Sequence, residues 1–138
     1  MGGERPKNRG TVRGINETRI LVAFEDDYRS YADALATALR AARPHLNVAT
    51  TVGLEALQTE VVRLDPHLLI CSSLDPFLEQ EGKLLAWVEL SVDPHLSSRF
   101  CVSGRRWELL NPSLEELLDV VEEVEQLLLS STRRAEAC

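Results

Sequence analysis

Residues 65–76 of the chain read DPHLLICSSLDP, and this short segment decides the fold class. The apolar run from His67 to Cys71 indicates a buried strand that ends in a loop, because the flanking Asp-Pro pairs favour element boundaries. Ser72 lies at the exit of that strand, and Pro76 follows four residues later. Ligands and chemistry gather beyond the carboxyl ends of the strands in an open parallel sheet. The segment therefore predicts a functional sheet edge at Ser72.

The first half of the chain alternates between two hydrophobic periods. Strand-like and helix-like runs follow one another in the order strand 19–24, helix 27–43, strand 48–52, helix 54–64 and strand 67–71. Such alternation with short connections predicts right-handed crossovers and a parallel sheet with helices on both faces. The first of these strands delivers Glu25, Asp26 and Asp27 at its carboxyl end.

The second half is less regular. A short helix is predicted within 77–83 and a fourth strand within 85–91. Two further apolar pieces, 99–102 and 107–110, flank Ser103-Gly104, so they form either a hairpin or a loop followed by a fifth strand. We favour the fifth strand at 107–110. The predicted fold is an α/β three-layer sandwich with a five-stranded parallel sheet in the flavodoxin-like order 2-1-3-4-5 and a shortened third helix.

The last helix carries the strongest local signals. Ser113 and Glu116 have the spacing of a capping box, in which each residue binds the backbone N–H of the other. The apolar positions of this helix are Leu114, Leu117, Leu118, Val120, Val121, Val124, Leu127, Leu128 and Leu129. This stripe is wide for a helix that packs only on its own sheet, and it suggests a second contact, for example with a dimer partner.

Composition limits the classes of function. The 138 residues suffice for a single domain, predicted at 19–130 between a disordered leader, 1–18, and a flexible tail, 131–138. A net charge of -7 argues against direct nucleic-acid binding. No apolar run is long enough for a membrane span and no signal peptide is visible, so a cytoplasmic location is expected.

The number and spacing of the three cysteines do not indicate a disulfide framework. Cys71, Cys101 and Cys138 are widely spaced and odd in number, and no pair has metal-ligand spacing. Cys71 and Cys101 lie in apolar runs and are expected to behave as small buried hydrophobes rather than as disulfide partners.

Strands one and three are neighbours in the predicted order, so Glu25, Asp26 and Ser72 should converge at its switch point. Paired carboxylates at such a place can hold Mg²⁺, which could neutralise a phosphoryl group. A purely structural role for these residues stays open as the alternative. Carboxylates also stabilise a helix N-terminus by themselves, and Ser72 could form hydrogen bonds only with local backbone.

The pattern over 20–128 resembles the receiver domain of two-component response regulators. The resemblance places Glu25 and Asp26 at the family's acidic pair and Ser72 at the phospho-acceptor position. Pro76 matches the proline that follows the acceptor. By the same resemblance Ser91 is the candidate switch Ser/Thr residue.

The departures from that family are as important as the matches. Asn111 stands where the family has lysine, and it cannot form lysine's salt bridge with a phosphoryl group. Trp107 falls one residue from the position of the switch aromatic. A serine such as Ser72 is a poor acceptor of phosphate from phosphohistidine, and Asp75 is a surrogate candidate. The interval between Ser72 and Ser91 is also short for the family's third helix.

The resemblance implies a non-enzymatic pseudo-receiver of bacterial type. It would act in two-component signalling or a phosphorelay through protein–protein contacts around strands four and five and the last helix, with phosphorylation lost. One alternative is a true receiver that binds Mg²⁺ and is phosphorylated on Asp75 or Ser72. A second is a small flavodoxin-like enzyme or ligand-binding protein whose pocket uses Glu25, Asp26 and Ser72. The expected partner is a signalling or regulatory protein, and a homodimer is a further expectation. Neither a membrane nor a nucleic acid is expected to bind directly.

Overall fold

The computed structural model describes residues 18–81, 84–130 and 138. The strands are β1 (Arg19–Phe24), β2 (Asn47–Val52), β3 (Leu68–Cys71), β4 (Ala86–Glu89), β5 (Ser97–Val102) and β6 (Arg105–Leu110). The helices are α1 (Arg29–Ala42), α2 (Leu57–Leu64), α3 (Pro76–Glu81) and α4 (Leu114–Leu129), with a 3-10 turn, Asp26–Tyr28, before α1. The predicted leader, apart from residue 18, and the predicted tail, apart from Cys138, lie outside the described residues.

One sheet holds all the described strands in the order β2-β1-β3-β4-β5-β6. Its first four strands are parallel, and their order is the one expected from the alternating first half of the chain. The other two strands run as an antiparallel hairpin beside β4. The α/β class is therefore confirmed, whereas the prediction of a purely parallel, five-stranded sheet is wrong.

Connection length and turn chemistry explain the hairpin. Only seven residues, 90–96, separate β4 from β5, and a parallel crossover needs about a dozen or more. Ser103 and Gly104 then join β5 to β6 with φ angles of 51° and 88°. Positive φ at both central residues is the type I′ geometry that closes tight hairpins. The chain therefore forms two successive antiparallel connections, because the segment between β4 and β5 is too short for a crossover helix.

Helices cover both faces of the sheet. On one face α1 and α4 pack on a core that includes Val22, Ile70, Val88 and Phe100. The other face carries α2 and α3 over a core that includes Leu21, Leu69, Cys71, Trp87 and Cys101. Because the central strands are covered on both sides, their residues are apolar without alternation. Within the described residues, no helix is both long and apolar enough to cross a membrane.

The capping box of α4 is present. The Ser113 hydroxyl accepts the Glu116 backbone N–H at 3.1 Å, and the Glu116 carboxylate accepts the Ser113 N–H at 2.8 Å. Replacing Ser113 with alanine should lower the free energy of unfolding by about 1 kcal/mol, because the Glu116 backbone N–H loses its side-chain acceptor. Urea denaturation measures the change. Ser130→Ala at the other end of α4 is the matched control and should cost less, so equal losses would contradict the prediction.

The cysteine prediction is wrong in one respect. Cys101 of β5 forms a disulfide with Cys138, although their separation of 37 positions gave no signal of pairing. The backbone N–H of Cys138 also donates to the Leu84 carbonyl at 2.7 Å. Cys71 is free and buried, as expected, and burial raises the pKa of its thiol. The pairing depends on tertiary placement, which residue spacing does not encode.

Candidate functional site

A cleft of about 370 Å³ opens at the carboxyl ends of β1, β3 and β4. The polar groups on its walls come from the ends of these strands, from the loops beyond them and from the start of β5, and they are Glu25, Tyr28, Ser72, Glu89, Ser91, Asp93 and Ser97. Among the residues that the structure describes, no basic side chain lines it. The edge is the one that the sequence pattern singles out, and its chemistry consists of hydroxyls and carboxylates.

Glu25 and Ser72 lie side by side in this cleft. The backbone N–H of Glu25 donates to the Ser72 hydroxyl oxygen at 3.1 Å. The backbone N–H of Ser72 in turn donates to the Ala23 carbonyl at 3.2 Å, which ties the β3 exit to β1. The Ser72 hydroxyl thus has a hydrogen bond that links two strand ends. This is the local, structural role that the alternative interpretation assigns to Ser72.

Asp26 lies in a different environment. Its carboxylate accepts a hydrogen bond from the Arg29 guanidinium at 2.9 Å. The two residues line a second cleft of about 440 Å³, between the ends of β1 and β2, which also contains Gly53 and Glu55. Glu25 borders both clefts, but Asp26 does not border the cleft of Ser72. The Arg29 guanidinium is the cation that this exposed carboxylate contacts.

The donor set does not fit the Mg²⁺ site that the resemblance implies. Among the residues that the structure describes, no three His, Cys, Asp or Glu side chains come together as metal ligands. Ser72 supplies a neutral hydroxyl where a third carboxylate would complete the site, and Asp26 is bound to Arg29. No step of a mechanism can be derived through a metal here.

Ser91 is the second predicted residue that the cleft contains. Its hydroxyl donates to the Asp93 carbonyl at 3.0 Å and lies 3.2 Å from the Asp93 N–H. The Ser91 N–H donates to the Ser98 hydroxyl at 2.9 Å, which fixes the turn between β4 and β5. Ser91 therefore shares the cleft with Ser72, while its own hydrogen bonds are local.

The remaining predicted residues lie elsewhere. Asn111 follows β6, which is separated from β4 by the whole of β5. Trp107 stacks on Phe100 at 5.1 Å between ring centroids and packs against the core beneath α1 and α4. The Asp75 carboxylate accepts a hydrogen bond from Gln58 at 2.7 Å. None of the three predicted residues borders the cleft. For Trp107 and Asn111 the reason is that the antiparallel hairpin occupies the position expected for a parallel fifth strand.

Glu89 is a cleft residue that the sequence analysis missed. One carboxylate oxygen accepts the Leu74 backbone N–H at 2.7 Å, and the other accepts the Arg99 Nε–H at 2.7 Å. It thereby ties the loop that contains Ser72 to β4 and β5. The only signal was a glutamate in an otherwise apolar strand, and its partner Arg99 becomes visible only through the antiparallel register, Glu89↔Arg99.

An ion-pair cluster extends from Glu89 towards α3. Glu79 accepts a hydrogen bond from Arg106 at 2.9 Å and lies 3.5 Å from Arg99. Partial burial opposes ionisation of Glu79, but the two guanidinium groups prevail and hold its pKa below the usual value. Arg99 and Arg106 also lie over the ring of Trp87, at 5.3 and 5.5 Å from its centroid. The cluster connects the short helix α3 to the hairpin.

Comparison of the chain with protein-family models, curated proteins and solved structures gave no match in any of the three.

Proposed function

We propose that this protein is a non-enzymatic regulatory module that resembles a receiver domain, has lost phosphorylation and acts by binding another protein. The observation that carries the proposal is the hydrogen bond between the Ser72 hydroxyl and the Glu25 N–H. It puts an uncharged, structurally engaged group at the position where a receiver needs an acceptor carboxylate. A neutral serine hydroxyl would form a phosphate ester rather than the acyl phosphate of a receiver, and its oxygen already accepts the Glu25 N–H.

Three further features support this proposal. The parallel half of the sheet and its order agree with a receiver-like arrangement around β1 and β3. Asp26 forms its ion pair with Arg29 and borders the other cleft, so it does not lie with Ser72. Within the described part of the chain, no basic residue lines the cleft to stabilise a phosphoryl group, and Asn111, at the family's lysine position, lies beyond β5. A binding module needs neither a working acidic pair nor a basic residue beside the acceptor, whereas a phosphorylated receiver needs both.

The proposal predicts that the protein does not respond to phosphoryl chemistry. Amide NMR spectra recorded with Mg²⁺, and then with Mg²⁺ and beryllofluoride, should leave the resonances of Glu25, Ser72 and Ser91 within their linewidths. Incubation with acetyl phosphate and Mg²⁺ should add no phosphoryl mass to the intact chain. A phosphorylatable receiver in the same tube is the positive control.

Two outcomes would contradict the proposal. A phosphoryl adduct mapped to Asp75 or Ser72 would establish the phosphorylated receiver instead. Shifts confined to Glu25 and its neighbours with Mg²⁺ alone would assign a cation site to the cleft, and Glu25→Gln should then abolish them.

A further inference from the structure

The strand β6 (Arg105–Leu110) forms an edge of the sheet, and within the described residues it pairs only with β5. The two-residue turn at Ser103-Gly104 fixes which backbone groups face outward. Val102 and Arg105 flank the turn as a pair, and antiparallel pairs alternate between hydrogen-bonded and non-hydrogen-bonded. The N–H and C=O groups of Arg105 therefore point to β5, as do those of every second residue along the strand. Those of Arg106, Glu108 and Leu110 point away from the sheet.

The outward-facing residues of this edge are self-complementary in one register. When two copies of β6 pair antiparallel, outward-facing residues must oppose outward-facing residues. With the two-fold axis at Trp107, each Arg106 faces Glu108 of the other copy. With the axis at Glu108 or at Arg106, like charges face each other. Opposite charges directly across a strand pair are stabilising and like charges are destabilising, so the sequence selects the Trp107 register.

The side chains are available for such contacts. Glu108 is exposed and takes part in none of the ion pairs formed by the described residues. Arg106 binds Glu79 through Nη1, and its side chain remains 51% exposed. A guanidinium has five N–H donors, so Arg106 can keep Glu79 and also bind a second carboxylate. Leu110 is 62% exposed at the end of the same edge.

We propose that the β6 edge binds a second copy of this chain, antiparallel and centred on Trp107, so that two sheets join into one. Each pair of Arg106 and Glu108 would exchange both of its outward backbone hydrogen bonds and form an ion pair across the axis. Natural proteins often place charges of one sign on an edge strand to prevent this kind of pairing. Here the outward charges have opposite signs, which disfavours the registers centred on Arg106 or Glu108 and favours the one centred on Trp107. The inference does not depend on the proposed function.

The test measures the mass of the full chain in solution over a concentration series, by light scattering and sedimentation. The wild-type protein should move from one chain to two as concentration rises. Glu108→Arg puts arginine against arginine in the same register and should raise the dimer dissociation constant by roughly tenfold or more. Glu122→Arg, the same charge change at an exposed site on α4, is the matched control and should leave the constant unchanged.

Two further variants separate pairing from folding. Glu108→Pro removes an outward N–H without touching the hydrogen bonds to β5, so the monomer should keep its circular dichroism and lose the dimer. Arg106→Glu alone should also be monomeric, but mixed with Glu108→Arg it should form a heterodimer, because the acidic and basic edges are then complementary. A wild-type protein that stays monomeric, or a Glu108→Pro variant that still dimerises, would overturn the proposal.

Discussion

Removal of the disulfide between Cys101 and Cys138 should lower the free energy of unfolding by about 4 kcal/mol. The bond closes a loop across 37 positions, and the loss of loop-closure entropy in the unfolded chain gives this magnitude for a loop of that size. In thermal unfolding the loss corresponds to a fall in Tm on the order of 10 °C. The expected effect is large because the closed loop contains the whole of β6 and α4.

The experiment compares thermal unfolding of the wild-type protein and of Cys101→Ala/Cys138→Ala, each with and without a reductant. Reduction should lower the Tm of the wild type towards that of the variant and should leave the variant unchanged. Cys71 supplies an internal control, because its buried thiol with a raised pKa should resist thiol reagents in the folded protein. A wild-type Tm that is insensitive to complete reduction would contradict the prediction.

The disulfide also bears on the predicted compartment. Disulfides that persist are rare in the reducing cytosol and common in oxidising environments. The expected cytoplasmic location stays a prediction, and the pair of Cys101 and Cys138 is an argument against it. Measurement of the reduction potential of this bond against glutathione would decide whether it survives in a reducing compartment.

The parallel half of the sheet could be predicted because its information is local. Continuous apolar runs, helical periods and Asp-Pro boundaries each specify one element, and the right-handed crossover rule then arranges them. The edge with Ser72 follows from that arrangement alone. The apolar pattern of 99–110 leaves a hairpin open as one of two interpretations, and the other, a loop followed by a parallel fifth strand, is wrong. Serine is not a residue type that marks the positive φ that the turn requires at position 103.

Long-range pairs could not be predicted from the sequence. Glu89 contacts Arg99 only because the hairpin sets them opposite each other, and Asp26 faces Arg29 rather than Ser72 because a 3-10 turn begins directly after Glu25. The predicted convergence of Glu25, Asp26 and Ser72 treated three side chains at one edge as one site. The structure divides them between two clefts.

Trp87 is the position where a single truncation should cost most. Its side chain is 1% exposed and belongs to the core between β4 and the helices α2 and α3. Trp87→Ala should lower the free energy of unfolding by about 3–5 kcal/mol, since a large buried ring is replaced by a cavity. Trp87→Phe should cost far less, because the indole N–H has no hydrogen-bond partner among the described residues that the change could break.

Trp107→Ala is the matched control for this prediction. Trp87 has Arg99 and Arg106 over its ring, and Trp107 has Arg105 at 4.2 Å from its centroid, so both alanine variants lose a cation–π contact. Trp107 is only partly buried, and its loss should cost clearly less. Urea denaturation of the three variants gives the order, and equal costs for the two alanine variants would contradict it.

Trp87→Ala should also loosen the loop that borders the cleft. Arg99 lies over the Trp87 ring and holds Glu89, which in turn holds the Leu74 N–H in the loop that follows Ser72. Without the ring, Arg99 loses its cation–π contact. The Leu74 amide should therefore exchange with solvent faster in Trp87→Ala than in Trp87→Phe. Hydrogen exchange followed by NMR measures this directly. If Leu74 exchanges equally in both variants, the cleft is held by Glu89 and Arg99 alone, and the core beneath it contributes stability without shaping the site.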